Sequence, residues 1–139
     1  MKSVYFIGIG GIGMSAVAQY FIANNYFVAG YDRIDSPITE MLESKGAIIN
    51  FIDQDDSIPK EIKEDRESLI IYTPAIPKSS IQLHWFRERG YRVIKRADAL
   101  NEIAKGKRCL AVAGSHGKSS ISATLAHVLH ESGEGVTSF

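Results

Sequence analysis

Two hydrophobic periods alternate along the chain. Val4-Tyr5-Phe6-Ile7 is an unbroken apolar run, as expected of a strand buried on both faces. It leads through Gly8-Ile9-Gly10-Gly11-Ile12-Gly13 into Ser15–Ile22, where Met14, Val17, Ala18 and Phe21 fall on one helical face. Asn24-Asn25 is a polar stop, and Tyr26–Tyr31 reads as a second buried strand. Ser36-Pro37 then has the chemistry of a helix start, an N-cap serine before a first-turn proline. That helix runs to Lys45, with Gly46 as its C-terminal stop.

The alternation continues. Ala47–Phe51 predicts a short third strand, followed by an acidic loop with a weak helix from Pro59. Ser68–Tyr72 predicts a fourth strand. Pro74 and Pro77 force the residues before them extended and forbid an immediate helix. Ser79 or Ser80 caps the next helix, which runs through Arg89 to Gly90. Tyr91–Lys95 is a fifth strand, and Arg96–Lys105 a short helix. Strands joined by helices require right-handed crossovers and a parallel sheet covered on both faces. The fold class is therefore α/β, a Rossmann-like doubly wound sheet of order 3-2-1-4-5. Strands one and four flank the switch point, where the Gly-rich loop faces the Thr73–Pro77 loop. Lys105–Arg108 reads as a linker after a first domain over 1–104. Residues 109–139 then begin a second unit: an apolar strand at Cys109–Ala113, a Gly/Lys loop, and a helix over Ile121–Glu131.

Composition narrows the class without naming a chemistry. The 139 residues are 45% hydrophobic and 23% charged, with 16 basic and 16 acidic side chains, so no net field draws the chain to nucleic acid or to a membrane. Seven acids crowd Asp53–Glu67 and eight bases crowd Arg87–Arg108; both runs read as solvated faces. Cys109 is the one cysteine, expected as a buried thiol, and excludes a disulfide framework. No apolar run reaches membrane-spanning length and no signal peptide precedes the first strand, which sets the expectation of a cytoplasmic protein.

The candidate chemistry lies in two loops. Gly8, Gly10 and Gly13 fit G-x-G-x-x-G between a strand and a helix. One glycine serves the tight turn, one the close approach of a pyrophosphate, and one close helix–strand packing. The amides and dipole of the following helix favour an anion. Asp32 ends the second strand 19 positions after Gly13, about where dinucleotide folds place an acid on a ribose hydroxyl. The second loop is Gly114-Ser115-His116-Gly117-Lys118-Ser119-Ser120. Its Gly-Lys-Ser core suits phosphates, with lysine on the β/γ positions and a hydroxyl for Mg²⁺. Val112 stands where the full G-x-x-x-x-G-K-[ST] pattern needs glycine, so the match is to a shorter form.

Together the two loops resemble those of the Mur ligases, ATP-dependent enzymes that add amino acids to UDP-linked peptidoglycan precursors. Phe6–Ser15 looks like the first loop of the member that joins L-alanine to UDP-N-acetylmuramate. Tyr72–Ile76, Val93–Ala97 and Ala113–Ser120 resemble further family segments, and the likeness spans essentially the whole chain. The resemblance implies that Gly10, Gly11, Ile12, Gly13, Met14 and Ser15 surround the UDP diphosphate and that Asp32 lies near the uridine. It also implies that Thr73, Pro74, Ala75 and Arg96 approach nucleotide or sugar. Gly114–Ser120 would hold ATP, with Lys118 and Ser119 as the catalytic pair and Ser119 on the Mg²⁺. In that family ATP phosphorylates the substrate carboxylate, and the amine of the amino acid attacks the acyl phosphate. Most of the ATP-binding domain and all of the amino-acid-binding domain would lie beyond Phe139. The chain alone is therefore expected to bind the UDP-sugar without ligating.

Other readings use the same residues. An NAD-binding oxidoreductase also carries Gly8, Gly10, Gly13 and Asp32, but leaves Lys118 and its loop unexplained. A nucleotide-sensing module is a third class. A recycling ligase attaching a whole peptide to UDP-N-acetylmuramate shares both loops. His116 reads as a loop-shaping residue that could approach ATP phosphates. His84, His127 and His130 read as solvated helix residues, and Trp85 as a packing residue. No Cys/His cluster has metal-site spacing, so Mg²⁺ carried with ATP is the one metal expected.

Overall fold

The computed structural model describes residues 2–105. The strand, Gly/Lys loop and helix expected over 109–131 lie outside the described residues, as do 106–108 of the linker. At the centre is β1, Ser3–Ile7, buried at every position. Around it the chain runs α1 (Ile12–Ala23), β2 (Phe27–Tyr31), α2 (Pro37–Ser44), β3 (Ile48–Asn50), a 3-10 turn (Asp55–Ser57), α3 (Lys60–Glu64), β4 (Leu69–Tyr72), α4 (Ile81–Glu88), β5 (Arg92–Lys95) and α5 (Arg96–Ala104). The sheet is wholly parallel in the order β3-β2-β1-β4-β5. This is the order the alternation predicts.

The strand period divides the core in two. Val4 and Phe6 of β1 point into one layer with Met14, Val17, Phe21, Leu42 and Ile103. Tyr5 and Ile7 point into the other, with Ile62, Ile70, Leu83 and Phe86. Burying each such side chain contributes about 1.5–3 kcal/mol, which makes the central strands the rigid base of the molecule.

The helix ends follow their local chemistry. Ser36 caps α2 in a reciprocal capping box with Thr39, and Pro37 opens its first turn. Asn25 takes φ 64° after α1, the left-handed conformation that asparagine tolerates best among non-glycine residues. Ser80, not Ser79, caps α4 by accepting the Leu83 amide.

The acidic segment departs from its expectation. It holds a 3-10 turn ahead of α3, and two of its acids are structural rather than solvating. The Asp53 carboxylate accepts the Ile81 and Gln82 amides at 3.1 and 2.9 Å, and the Ser80 hydroxyl at 3.3 Å. Ser3 donates to Asp65 at 2.7 Å and thereby holds that carboxyl below its ordinary range. A carboxylate set against the open amides of a helix start is favoured by both hydrogen bonding and dipole. Lys60 and Glu64 form an exposed pair, as a solvated face should.

Candidate functional site

The Gly-rich loop leaves the C-terminal end of β1 and is fastened first to the end of β2. Gly8 and Ile9 both donate to the Tyr31 carbonyl, at 2.8 and 3.0 Å. Gly8 takes φ +94°, and a Cβ there would stand 2.6 Å from Thr73 Cγ2, so the turn accepts only glycine. The Gly10 amide donates to Asp32 Oδ2 at 2.8 Å. The second Asp32 oxygen accepts the Ile34 amide at 3.0 Å. Gly10 is thus wedged between the Asp32 carboxylate and the methyl of buried Thr39, which a Cβ would meet at 2.8 and 3.2 Å. Gly11 turns back, donating to the Gly8 carbonyl at 3.3 Å, and becomes the N-cap of α1.

From that cap onward the loop changes character. No side chain caps α1, and the amides of Ile12, Gly13 and Met14 have no acceptor among the described residues. The first turn also carries no acid to neutralise the dipole. The Met14 side chain is in the core, and its amide is left without an acceptor among the described residues. Ser15 is buried, with its hydroxyl donated to the Ile12 carbonyl at 2.9 Å. Ile12, by contrast, is 84% exposed at the mouth of the loop.

Arg96 completes this half of the site. It begins α5 directly after β5, and its Nη1 lies 2.8 Å from where a Cβ on Gly13 would stand. The space left by Gly13 therefore admits a guanidinium; the nearest side chain there is Arg96, not the strand that the G-x-G-x-x-G reading assigns. Arg96 is half-buried and has neither a hydrogen bond nor an ion pair among the described residues. An unpaired cation beside three open amides is an arrangement that attracts an anion with more than one oxygen.

Across from the loop, Thr73 follows β4 with its amide on the Ile7 carbonyl at 3.4 Å. Ile76 donates to the Thr73 carbonyl at 3.1 Å, closing a turn that leaves Pro74 and Ala75 exposed. The Thr73 methyl packs on Gly8, so the two loops touch at their base. Tyr31 lies below. Burial first, then the charges of Asp53 and Asp32, pushes its phenol up from the ordinary value and keeps it neutral.

The structure thus brings together Gly10–Ser15, Asp32, Thr73–Ala75 and Arg96 at the C-terminal edge of the sheet, where a doubly wound fold binds ligands. Gly114, Ser115, His116, Gly117, Lys118, Ser119 and Ser120 lie outside the described residues. Sequence reasoning missed Thr39 and Gly30. The signal for Gly30 is a glycine inside an apolar strand: a Cβ there would stand 2.7 Å from the Phe6 carbonyl oxygen. No group of three or more His, Cys, Asp or Glu among the described residues could hold a metal. No helix among them is long and apolar enough to cross a membrane.

Residues 3–108 match the model of the Mur ligase family, catalytic domain. The chain is 52% identical over 132 residues to the UDP-N-acetylmuramate–L-alanine ligase of Porphyromonas gingivalis, covering 95% of this chain and 29% of that protein. Among solved structures, the UDP-N-acetylmuramate–alanine ligase of Thermotoga maritima superposes with TM-score 0.81 at 30% identity, over 94% of this chain and 29% of that one. A murein peptide ligase of Psychrobacter arcticus reaches TM-score 0.82 at 24% identity, over 96% and 27%, a likeness of fold alone. The chain spans about three tenths of the length of the relatives it matches.

Proposed function

The chain belongs to the Mur ligase family, and from that premise we propose that its first domain, 1–104, is the UDP-sugar-binding part of an enzyme joining L-alanine to UDP-N-acetylmuramate. The observation that carries this is the open half of the Gly-rich loop: three unbonded amides with Arg96 laid over Gly13. A diphosphate is the ligand group that fits, since its oxygens can accept several N–H donors at once while meeting a cation. Pro74 and Ala75 face the same edge and would border the nucleotide or sugar. The 52% identity to a ligase named for UDP-N-acetylmuramate and L-alanine favours this pair over a whole peptide as the joined group.

The remainder of the reading stands on sequence. After a linker at 105–108, the segment 109–139 would open the ATP-binding domain. Gly114–Ser120 would hold the ATP phosphates, with Lys118 on the β/γ groups and the Ser119 hydroxyl on Mg²⁺. ATP would supply the phosphoryl group that activates the muramate carboxylate for attack by the amine. The compartment would be the cytoplasm.

Isothermal titration of the chain with UDP-N-acetylmuramate and with NAD tests the first domain. Heat with the UDP-sugar alone is expected, and tight NAD binding would overturn the reading. Arg96→Ala should weaken the UDP-sugar about tenfold or more, as loss of a charge-assisted contact does. Mixed with UDP-N-acetylmuramate, L-alanine and Mg·ATP, the chain by itself should release no phosphate in a substrate-dependent way. Phosphoryl transfer depends on several groups placed together, and the described residues supply only the sugar-nucleotide side.

A further inference from the structure

An acid at the end of the second strand of a dinucleotide-type sheet invites the reading that it receives a ribose hydroxyl. The geometry points elsewhere. Asp32 Oδ2 accepts the Gly10 amide at 2.8 Å and Oδ1 accepts the Ile34 amide at 3.0 Å, so each oxygen already faces a backbone donor. The contact is closely shaped: Gly10 has no room for a Cβ between that carboxylate and the Thr39 methyl. Thr39 is itself fixed, fully buried and tied into the Ser36 capping box of α2. The Asp32 amide is anchored in turn on the Asn50 carbonyl of β3 at 3.1 Å.

We propose that Asp32 is a positioning residue: it holds the Gly10 amide and so sets the loop in the shape that presents the Ile12–Met14 amides to a diphosphate. Three successive amides, Gly8 to Gly10, are committed to Tyr31 and Asp32. Only after them does the loop turn outward at Gly11. Releasing the third anchor frees the turn and scatters the open amides, which must otherwise be ordered when the ligand binds. The proposal rests on the reading of this loop as the diphosphate site and concerns how that site is built.

Asp32→Asn is the informative change. An asparagine has one side-chain acceptor, so either Gly10 or Ile34 comes to face a donor. Binding of UDP, 2′-deoxy-UDP and uridine is followed by NMR titration of the parent chain and the variant, with circular dichroism to check the fold. The variant should lose about tenfold in affinity for UDP and for 2′-deoxy-UDP alike, and keep its affinity for uridine within about twofold. Equal loss for uridine and UDP overturns the proposal. So does a preference of the parent for UDP over the 2′-deoxy form that vanishes in the variant, since that would put Asp32 on the ribose. Amide exchange on the parent chain gives a second reading, independent of whether the variant folds. Gly10 should be protected before ligand is added, and Ile12, Gly13 and Met14 should gain protection only with UDP. Rapid exchange at Gly10 overturns the proposal. Failure of the parent to bind UDP, with Gly10 still protected, overturns the diphosphate reading and leaves the anchor without that function.

Discussion

At the scale of single residues, four glycines near the site do four different things. Gly8 supplies a left-handed backbone, Gly10 yields its space to Asp32 and Thr39, and Gly13 yields its space to Arg96. Gly11 differs from these: a Cβ there would meet nothing closer than the Gly8 carbonyl oxygen at 3.6 Å, an ordinary contact. Two substitutions separate these roles. Gly10→Val should cost about 1–3 kcal/mol in urea unfolding, because it overpacks a wedge held on two sides. Gly11→Ala should cost no more than about 1 kcal/mol, the loss of a tolerant N-cap residue, yet weaken UDP-N-acetylmuramate by placing a methyl at the loop's open tip. Equal destabilisation by the two would contradict this division. Gly30→Ala is the severest case. Its methyl would press on the Phe6 carbonyl in the centre of the sheet, where backbone cannot yield, and a loss of about 3 kcal/mol or more is expected from the same unfolding measurement.

At the scale of elements, α4 shows how a helix can take its cap from a distant part of the chain. Asp53 reaches its first turn from 27 to 29 residues away. Asp53→Ala should therefore lower stability by about 1–2 kcal/mol, with hydrogen exchange rising first in α4. Unchanged exchange there would remove Asp53 from that role. The same helix marks where sequence reading stops. Strand order, helix starts at Ser36 and Ser80, and stops at Asn25, Gly46 and Gly90 were legible because they follow local patterns of period, capping and turn chemistry. The Gly8–Gly13 loop was legible for the same reason. What Asp32 and Asp53 do was not, because each acts on an amide that only the tertiary fold brings near. A spacing can place Asp32 at the end of β2, but cannot say that Gly10 already occupies its oxygen. Nor could the basic run single out Arg96, which differs from its neighbours by the gap at Gly13.

At the scale of the whole molecule, one buried polar network ties the central strand to an outer strand and to α4, the helix in the layer that Tyr5 faces. The Tyr5 hydroxyl donates to Gln82 Oε1 at 2.6 Å and accepts from Asn50 Nδ2 at 2.8 Å. Gln82 Nε2 in turn donates to Asn50 Oδ1 and to the Ile52 carbonyl, both at 3.0 Å. Among the described residues no buried side-chain polar atom lacks a partner, so removing one member exposes the others. Tyr5→Phe should cost about 1–3 kcal/mol at neutral pH, because Gln82 Oε1 loses its donor inside the core. The network also sets an alkaline limit. Burial is the largest of the causes that hold the Tyr5 phenol well above its ordinary value; Tyr31 and Tyr91 are raised too, by burial first. A phenol whose folded pKa exceeds its unfolded one leaves stability whole below the unfolded value, about 10, and diminishes it as pH rises further. Each such group weighs in by up to about 1.4 kcal/mol per pH unit. The urea midpoint should therefore hold steady from pH 7 to 9 and fall steeply from about pH 10. In the Tyr5→Phe protein it should begin lower and fall less steeply, since one of the three raised phenols is gone. An alkaline slope the same in both proteins would mean that Tyr5 ionises as readily in the folded chain as in the unfolded one.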